Sequence, residues 1–134
     1  MISIIVIGVD PSETGERAFR AGVELAEAVN AQVHLVTAFV DGPSGGVEIT
    51  PQRREAERVL EDAASKVGPN RTHVRTHAIP EKPADAIMRV ATETNADVIV
   101  IGNRGAQGTR RVLGSVASAI VGHAPCDVLV VKTS

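Results

Sequence analysis

The sequence predicts a single α/β domain over residues 1–134, built on a five-stranded parallel open sheet with helices on both faces. Three observations predict this class. Short apolar runs rich in Val and Ile alternate with segments of helical periodicity, and this alternation is typical of parallel sheets. The length of 134 residues is that of one domain. A hydrophobic share of 43% supplies a core, and we find no linker that divides the chain.

Five segments are predicted to be strands. Four of them are continuous apolar runs, as expected for parallel strands that helices cover on both faces. These runs are residues 4–9, 33–39, 98–101 and 128–131. The fifth segment, residues 72–79, alternates polar and apolar side chains, so we expect it nearer an edge of the sheet.

Each predicted helix has a recognisable start. Ser12 can cap a helix over residues 13–29, because its hydroxyl can accept a hydrogen bond from a first-turn amide. Pro51 begins a second, highly charged helix to about residue 67, and Pro83 stands in the first turn of a third. Ser115 is predicted to cap the last helix. The order β-α-β-α-β-α-β-α-β results.

Ligands of open parallel sheets bind outside the carboxyl ends of the strands, where the strand order switches. A glycine-rich stretch occupies such a position, after the fourth strand and before the last helix. Its glycines are Gly102, Gly105, Gly108 and Gly114. Glycine lets the backbone approach a phosphate, and a helix N-terminus adds free amides and a positive dipole end. With Ser115 and Arg104, the stretch predicts a phosphate site; the alternative is a long turn whose glycines only satisfy local geometry.

Four motifs in order resemble the universal stress protein family from the first strand to the last. They are residues 5–12 at the first strand, residues 97–102 at the fourth strand, residues 114–116 at the start of the last helix, and residues 123–131 at the final strand. The glycines Gly102, Gly105 and Gly114, with Ser115, resemble the Gly-x2-Gly-x9-Gly-Ser/Thr motif of nucleotide-binding members. Eight residues, one fewer than in that motif, separate Gly105 from Gly114. Glu81 also stands where the family often has glycine.

This resemblance implies a Rossmann-like sheet of the adenine nucleotide alpha hydrolase-like type that binds ATP, alone or with Mg²⁺ or Mn²⁺. It places Asp10 near the adenine or ribose, and the main chain of Ala38 at the adenine edge. The implied nucleotide-binding residues are Val9, Asp10, Pro11, Ser12, Ala38, Gly102, Arg104, Gly105, Gly108, Gly114, Ser115 and Val116. From the residues alone, the alternative role of Asp10 is to cap the next helix, a role for which Ser12 competes, and the alternative for Ala38 is a plain core alanine.

The resemblance also implies a stress-response regulator that forms a homodimer through the last strand, from Asp127 to Lys132. An edge strand invites such pairing because it presents unpaired backbone groups. Two alternatives remain open. The shorter glycine loop favours a homodimeric interaction module that binds no ATP, or a binder of AMP or cyclic AMP, which needs less loop.

The sequence lacks the motifs that are typical of several classes of enzyme and nucleotide-binding protein. We find no Gly-x-Gly-x-x-Gly after the first strand, no P-loop, no Gly-x-Ser-x-Gly elbow and no paired carboxylates, so we expect no enzyme. A weak ATPase activity has no residue to support it. The four histidines lack metal-ligand spacing, so no metal site is predicted.

The remaining composition bears on partners and location. A net charge of −2 and only two aromatic residues, both Phe, argue against nucleic-acid binding. The apolar run at residues 1–7 is too short for a membrane helix, and Cys126 is the single cysteine. We therefore expect a cytoplasmic protein that does not bind membranes.

Overall fold

A computed structural model describes residues 1–41, 49–68, 73–103 and 113–132 of the chain. Strands and helices alternate along these residues, as the sequence predicts. The elements are β1 (Ile4–Gly8), α1 (Glu13–Val29), β2 (Gln32–Ala38), α2 (Pro51–Ser65), β3 (Val74–Ile79), α3 (Pro83–Thr94), β4 (Val98–Gly102), α4 (Ser115–His123) and β5 (Asp127–Val131).

The five strands form one parallel sheet in the order β3-β2-β1-β4-β5. The chain builds outward from β1 through β2 to β3, and then crosses to the other side of β1 for β4 and β5. The strand order therefore switches between β1 and β4, at the centre of the sheet. The strands β3 and β5 lie at its edges, which confirms the edge positions predicted for the third and the last strand.

Two buried clusters fill the space between the sheet and its helices, which confirms helices on both faces. One cluster joins α1 and α2 to the sheet and contains Ile5 and Ile7, and the other joins α3 and α4 and contains Val6. These three neighbouring residues of β1 are fully buried. Successive side chains of a strand point to opposite faces. The continuous apolar run of β1 is thus the mark of a strand with a core on each side.

The ends of the helices explain where the elements begin. Ser12 caps α1 as predicted, since its Oγ accepts a hydrogen bond from the Gly15 amide at 3.2 Å. Pro51 starts α2 as predicted, and the hydroxyl of Thr50 before it accepts from the Arg53 amide at 3.1 Å. A proline fits this first position because a first-turn amide has no partner within the helix.

The predicted cap of α4 is wrong by one residue. Gly114 is the N-cap, with an extended backbone of φ −64° and ψ 167°, and Ser115 is already helical. The Ser118 amide donates to the Gly114 carbonyl at 2.8 Å, which closes the first helical turn one residue early. No side-chain cap bond is made at this N-terminus. The Ser115 hydroxyl is therefore not needed to start the helix.

The amino-terminal end of β1 is joined to β4 by Asp97. Its Oδ2 accepts hydrogen bonds from the backbone amides of Ser3, at 2.8 Å, and of Ile4, at 2.9 Å. These bonds stabilise the ionised carboxylate, so they lower the pKa of Asp97 below its ordinary value. The central pair of strands is in this way joined at its amino-terminal end.

Candidate functional site

A cavity of about 520 Å³ opens at the carboxyl ends of β1, β2 and β4, beside the switch in strand order. This volume lies within the range of small-molecule and cofactor sites. Its wall has three parts: the turn from β1 into α1, the end of β2, and the residues that flank the glycine-rich stretch. The position predicted from the carboxyl-edge rule is thus the position of the cavity.

The turn from β1 into α1 brings three predicted site residues, Val9, Asp10 and Pro11, to the cavity. Asp10 Oδ1 accepts a hydrogen bond from the Ser12 amide at 3.0 Å, so Asp10 shapes this turn and also lines the cavity. Ser12 does not line the cavity. Its hydroxyl instead caps α1 through Gly15, which also lies in the cavity wall.

The end of β2 forms the second wall and includes the predicted Ala38. The Val9 amide donates to the Val36 carbonyl at 2.8 Å, and the Thr37 hydroxyl donates to the Val9 carbonyl at 3.2 Å. The Phe39 amide donates to Ile79 of β3 at 3.0 Å. Because hydrogen-bonding groups alternate sides along a strand, the amide and carbonyl of Ala38 point the other way, toward the end of β1 and the cavity.

The third wall consists of residues on both sides of the glycine-rich stretch. Gly102 ends β4, Gly114 precedes α4, and Ser115 and Val116 begin α4; all four of these predicted site residues line the cavity. Asn103 Oδ1 accepts a hydrogen bond from the Gly114 amide at 2.7 Å. The predicted site residues Arg104, Gly105 and Gly108 lie outside the described residues.

Other lining residues were missed because they belong to helices or to strand interiors. Pro83 and Ile87 reach the cavity from the first turns of α3, and Ala117 reaches it from α4. Their spacing indicates a buried helical face, and nothing in it distinguishes a cavity wall from a core. Gly8 is also in the wall, and a Cβ atom there would lie 2.8 Å from Ile87 Cδ1. Glycine at this position therefore leaves space between β1 and α3.

The described lining is mainly apolar, and Asp10 is its one ionisable residue. Positive potential comes from α4, whose N-terminus at Gly114 and Ser115 faces the cavity. The cavity thus has an apolar part beside β2 and α3, and a part with hydrogen-bond donors at α4. This arrangement suits a ligand with a flat apolar group at one end and an anionic group at the other.

Two histidines meet away from the cavity. His34 Nδ1 and His77 Nε2 lie 2.9 Å apart in a hydrogen bond between β2 and β3. Burial lowers the pKa of both rings; the positive charges of His77 and Arg75 lower that of His34 further, while Glu93 opposes the change at His77. Across the described ranges, no three His, Cys, Asp or Glu side chains form a group that could hold a metal ion.

The described residues also include no helix that is both long and apolar enough to cross a membrane.

Cys126 is partly buried, and burial together with the charges of Asp127 and Asp97 raises the pKa of its thiol. A thiol with a raised pKa is a poor nucleophile at neutral pH.

The sheet order and the cavity at its switch define a doubly wound α/β protein with a ligand-sized site at the carboxyl edge. Residues 1–132 match the model of the universal stress protein family. A universal stress protein of Methanocaldococcus jannaschii is 31% identical over 96% of this chain and 81% of its own length. The chain therefore belongs to the universal stress protein family, as the four motifs predict.

Solved structures of the family share the fold. A universal stress protein in complex with cAMP superimposes with a TM-score of 0.84 at 25% identity, and the match covers 99% of each chain. The universal stress protein of Archaeoglobus fulgidus in complex with dAMP gives a TM-score of 0.76 at 30% identity, over 98% of this chain and 100% of the other. Both of these relatives hold a nucleoside monophosphate of adenine.

Proposed function

We propose that this protein is a stress-response regulator that binds an adenine nucleotide in the switch-point cavity. The observation that carries the proposal is the cavity of about 520 Å³ itself, which joins the end of β2 to the N-terminus of α4. An adenine base and a phosphate need these two environments. The relatives in complex with cAMP and dAMP, which have the same fold, support this choice of ligand.

The adenine base is proposed to lie against the end of β2, with Ile87 on the α3 side. The Ala38 amide can donate to adenine N1, and the Ala38 carbonyl can accept from the adenine amino group. Guanine presents a donor and an acceptor in the opposite arrangement at these positions, so it would leave both backbone groups unmatched. Unmatched buried groups cost about 1–3 kcal/mol each, which is enough to select adenine. Asp10 is then near the ribose, at the mouth of the β1–α1 turn.

The phosphates are proposed to lie at the N-terminus of α4. Its first-turn amides have no partner within the helix, and its dipole is positive at this end. The Ser115 hydroxyl, which does not cap the helix, is available as a further donor. Any Mg²⁺ or Mn²⁺ would then be held mainly by the phosphates themselves.

Two kinds of adenine nucleotide are candidate ligands: ATP, and a monophosphate such as AMP or cyclic AMP. The family resemblance favours ATP. The spacing of eight residues between Gly105 and Gly114, and the monophosphates in the two solved relatives, favour AMP or cyclic AMP.

We also propose that binding is regulatory and not catalytic, because Asp10 is the one ionisable side chain of the described lining. A single carboxylate gives no acid–base pair.

The protein is further proposed to be a homodimer that pairs through β5. In the described part of the chain, β5 is an edge strand that pairs with β4. Leu129 of this strand is 41% exposed, although it is apolar. A two-fold axis beside β5 would join the two sheets edge to edge and would cover this side chain.

Isothermal calorimetry with ATP, AMP, cyclic AMP and GTP tests nucleotide binding, in wild type and in two variants of Gly114. The backbone at Gly114 is extended, with φ −64°, and Asp and Asn are both favoured N-cap residues, so both variants should fold. Gly114→Asp puts a negative charge beside the phosphate and should weaken binding at least about tenfold. Gly114→Asn is the neutral control of the same size and should bind far better than Gly114→Asp.

The outcomes discriminate between the alternatives. Binding of ATP that Gly114→Asp loses and Gly114→Asn largely keeps supports the ATP regulator. Selective binding of AMP or cyclic AMP retains the site and changes its ligand. A folded wild type that binds none of the nucleotides refutes the proposal and favours the homodimeric interaction module.

A further inference from the structure

Asn103 joins the two ends of the glycine-rich stretch, although its residue type attracts no attention in the sequence. It follows the last residue of β4, and its Oδ1 accepts a hydrogen bond from the Gly114 amide at 2.7 Å. The two residues are eleven positions apart and are both described by the structure. This bond connects the carboxyl end of a central strand to the residue that begins α4.

The bond is notable because α4 has no side-chain cap of its own. Helices commonly begin with a side chain that accepts from a first-turn amide, as Ser12 does for α1 and Thr50 does for α2. At α4, the residue before the helix is a glycine, which has no side chain that could accept such a bond. Asn103, the residue after β4, instead accepts from the amide of Gly114 itself. The start of α4 is therefore positioned relative to the sheet, and not only by its own turn.

The same bond decides which amides remain for a ligand. The Gly114 amide is directed at Asn103, and the Gly114 carbonyl accepts from the Ser118 amide. The next amides, of Ser115, Val116 and Ala117, belong to the first helical turn, and an α-helix offers them no acceptor. These three residues line the cavity. The bond to Asn103 thus fixes the residue that precedes these three lining residues.

We propose that Asn103 is a positioning residue for phosphate binding: it holds the N-terminus of α4 at a set place beside the end of β4, so that the nucleotide need not order it. This inference rests on the proposed nucleotide binding. Its physical basis is preorganisation, because order that exists before binding is not subtracted from the binding free energy. The Asn103 side chain is uncharged, so it holds Gly114 without repelling an anion.

Two variants and two ligands test the inference by calorimetry. The ligands are adenosine and whichever of ATP, AMP or cyclic AMP binds wild type most tightly. Asn103→Ala removes the acceptor and should weaken nucleotide binding about five- to tenfold, while adenosine, which has no phosphate, should change less than about twofold. Asn103→Asp keeps the acceptor and adds a charge. It should retain the thermal stability of wild type, but bind the nucleotide still more weakly, and with a stronger dependence on salt.

Each outcome supports or overturns the inference. A loss confined to the phosphate-bearing ligand in Asn103→Ala supports it. An equal loss for adenosine and nucleotide shows a merely structural role and overturns it, and so does unchanged nucleotide affinity. If wild type binds no nucleotide, the proposed function itself fails and the inference fails with it. If wild type binds the nucleotide tightly and Asn103→Ala binds it equally tightly, only the inference fails and the proposed function stands.

Discussion

Two helical glycines have opposite surroundings and allow a matched test. A Cβ atom on Gly15 of α1 would lie 2.0 Å from the backbone oxygen of Asp10, whereas a Cβ atom on Gly122 of α4 would meet nothing within 4 Å. The contact at Gly15 is with backbone, so no side-chain rotation can relieve it. Gly15 therefore permits α1 to approach the turn that carries Asp10 into the cavity.

We expect Gly15→Ala to displace Asp10, to lower the free energy of unfolding by about 1–3 kcal/mol, and to weaken nucleotide binding. Gly122→Ala should instead raise the free energy of unfolding by about 0.5–1 kcal/mol, because alanine restricts the unfolded chain and favours the helix. Urea unfolding measures both changes, and calorimetry measures binding. Wild-type stability in Gly15→Ala would show that the Asp10 turn adapts and that the close approach is not needed.

The roles of some residues of the candidate site could be predicted from their neighbours in the sequence, and the roles of others could not. The places of Asp10, Ala38, Gly102 and Gly114 at the cavity could be predicted, because each follows a strand or precedes a helix. The role of Asn103 could not, since its partner lies eleven residues away and on another element. Ser12 shows the converse case: it matches a family motif, but its hydroxyl caps α1, and Ser12 is not among the residues that line the cavity.

Among the elements, β2 and β3 are joined by side chains as well as by their backbones, and this contact is sensitive to pH. In the hydrogen bond between His34 and His77, one ring donates and the other accepts, so at least one ring must be neutral. Protonation of both places two positive charges side by side near Arg75. Burial lowers the pKa of both histidines below the ordinary 6.5. The folded state therefore binds fewer protons than the unfolded state in mildly acidic solution.

It follows that the contribution of the pair is complete above the unfolded pKa of 6.5 and is lost as the pH falls through the lowered folded values. We expect the free energy of unfolding to decrease as the pH falls below 6.5. The decrease should be smaller in His77→Gln, which has one fewer partly buried ring to protonate. Urea titrations at several pH values measure the slopes. Parallel slopes in the two proteins would contradict a role for the pair.

The limits of the elements were predictable where the signal is local and strong. The bounds of α1 agree with the prediction, because Ser12 caps its start and Asn30 ends it in the left-handed conformation, with φ 56°. The cap of α4 was misplaced because Ser115 has the favoured residue type, while Gly114 takes the N-cap position and its amide donates to Asn103 outside the helix. Residue preferences at a helix end cannot predict a hydrogen bond to a residue that only folding brings close.

For the molecule as a whole, the exposed edge of β5 predicts the oligomeric state. Leu129→Lys would place two like charges close together across the proposed two-fold axis, and we expect it to convert the dimer to a monomer. Val40→Lys makes the same change at an apolar residue that is 81% exposed beyond β2, and it should leave the dimer intact. Light scattering after size-exclusion chromatography measures both masses. A monomeric wild type, or a dimeric Leu129→Lys protein, would rule out pairing through β5.

The central place of β1 also affects the order in which the chain can fold during its synthesis. β1 pairs on one side with β2, which follows soon after it, and on the other side with β4. The bond from the Ser3 amide to Asp97 spans 94 positions. A chain emerging from the ribosome can thus form the β1–β2–β3 half early, but one side of β1 stays bare until most of the protein has been made. Such a half-sheet has an apolar central strand at its edge, and it is the species that a chaperone would meet.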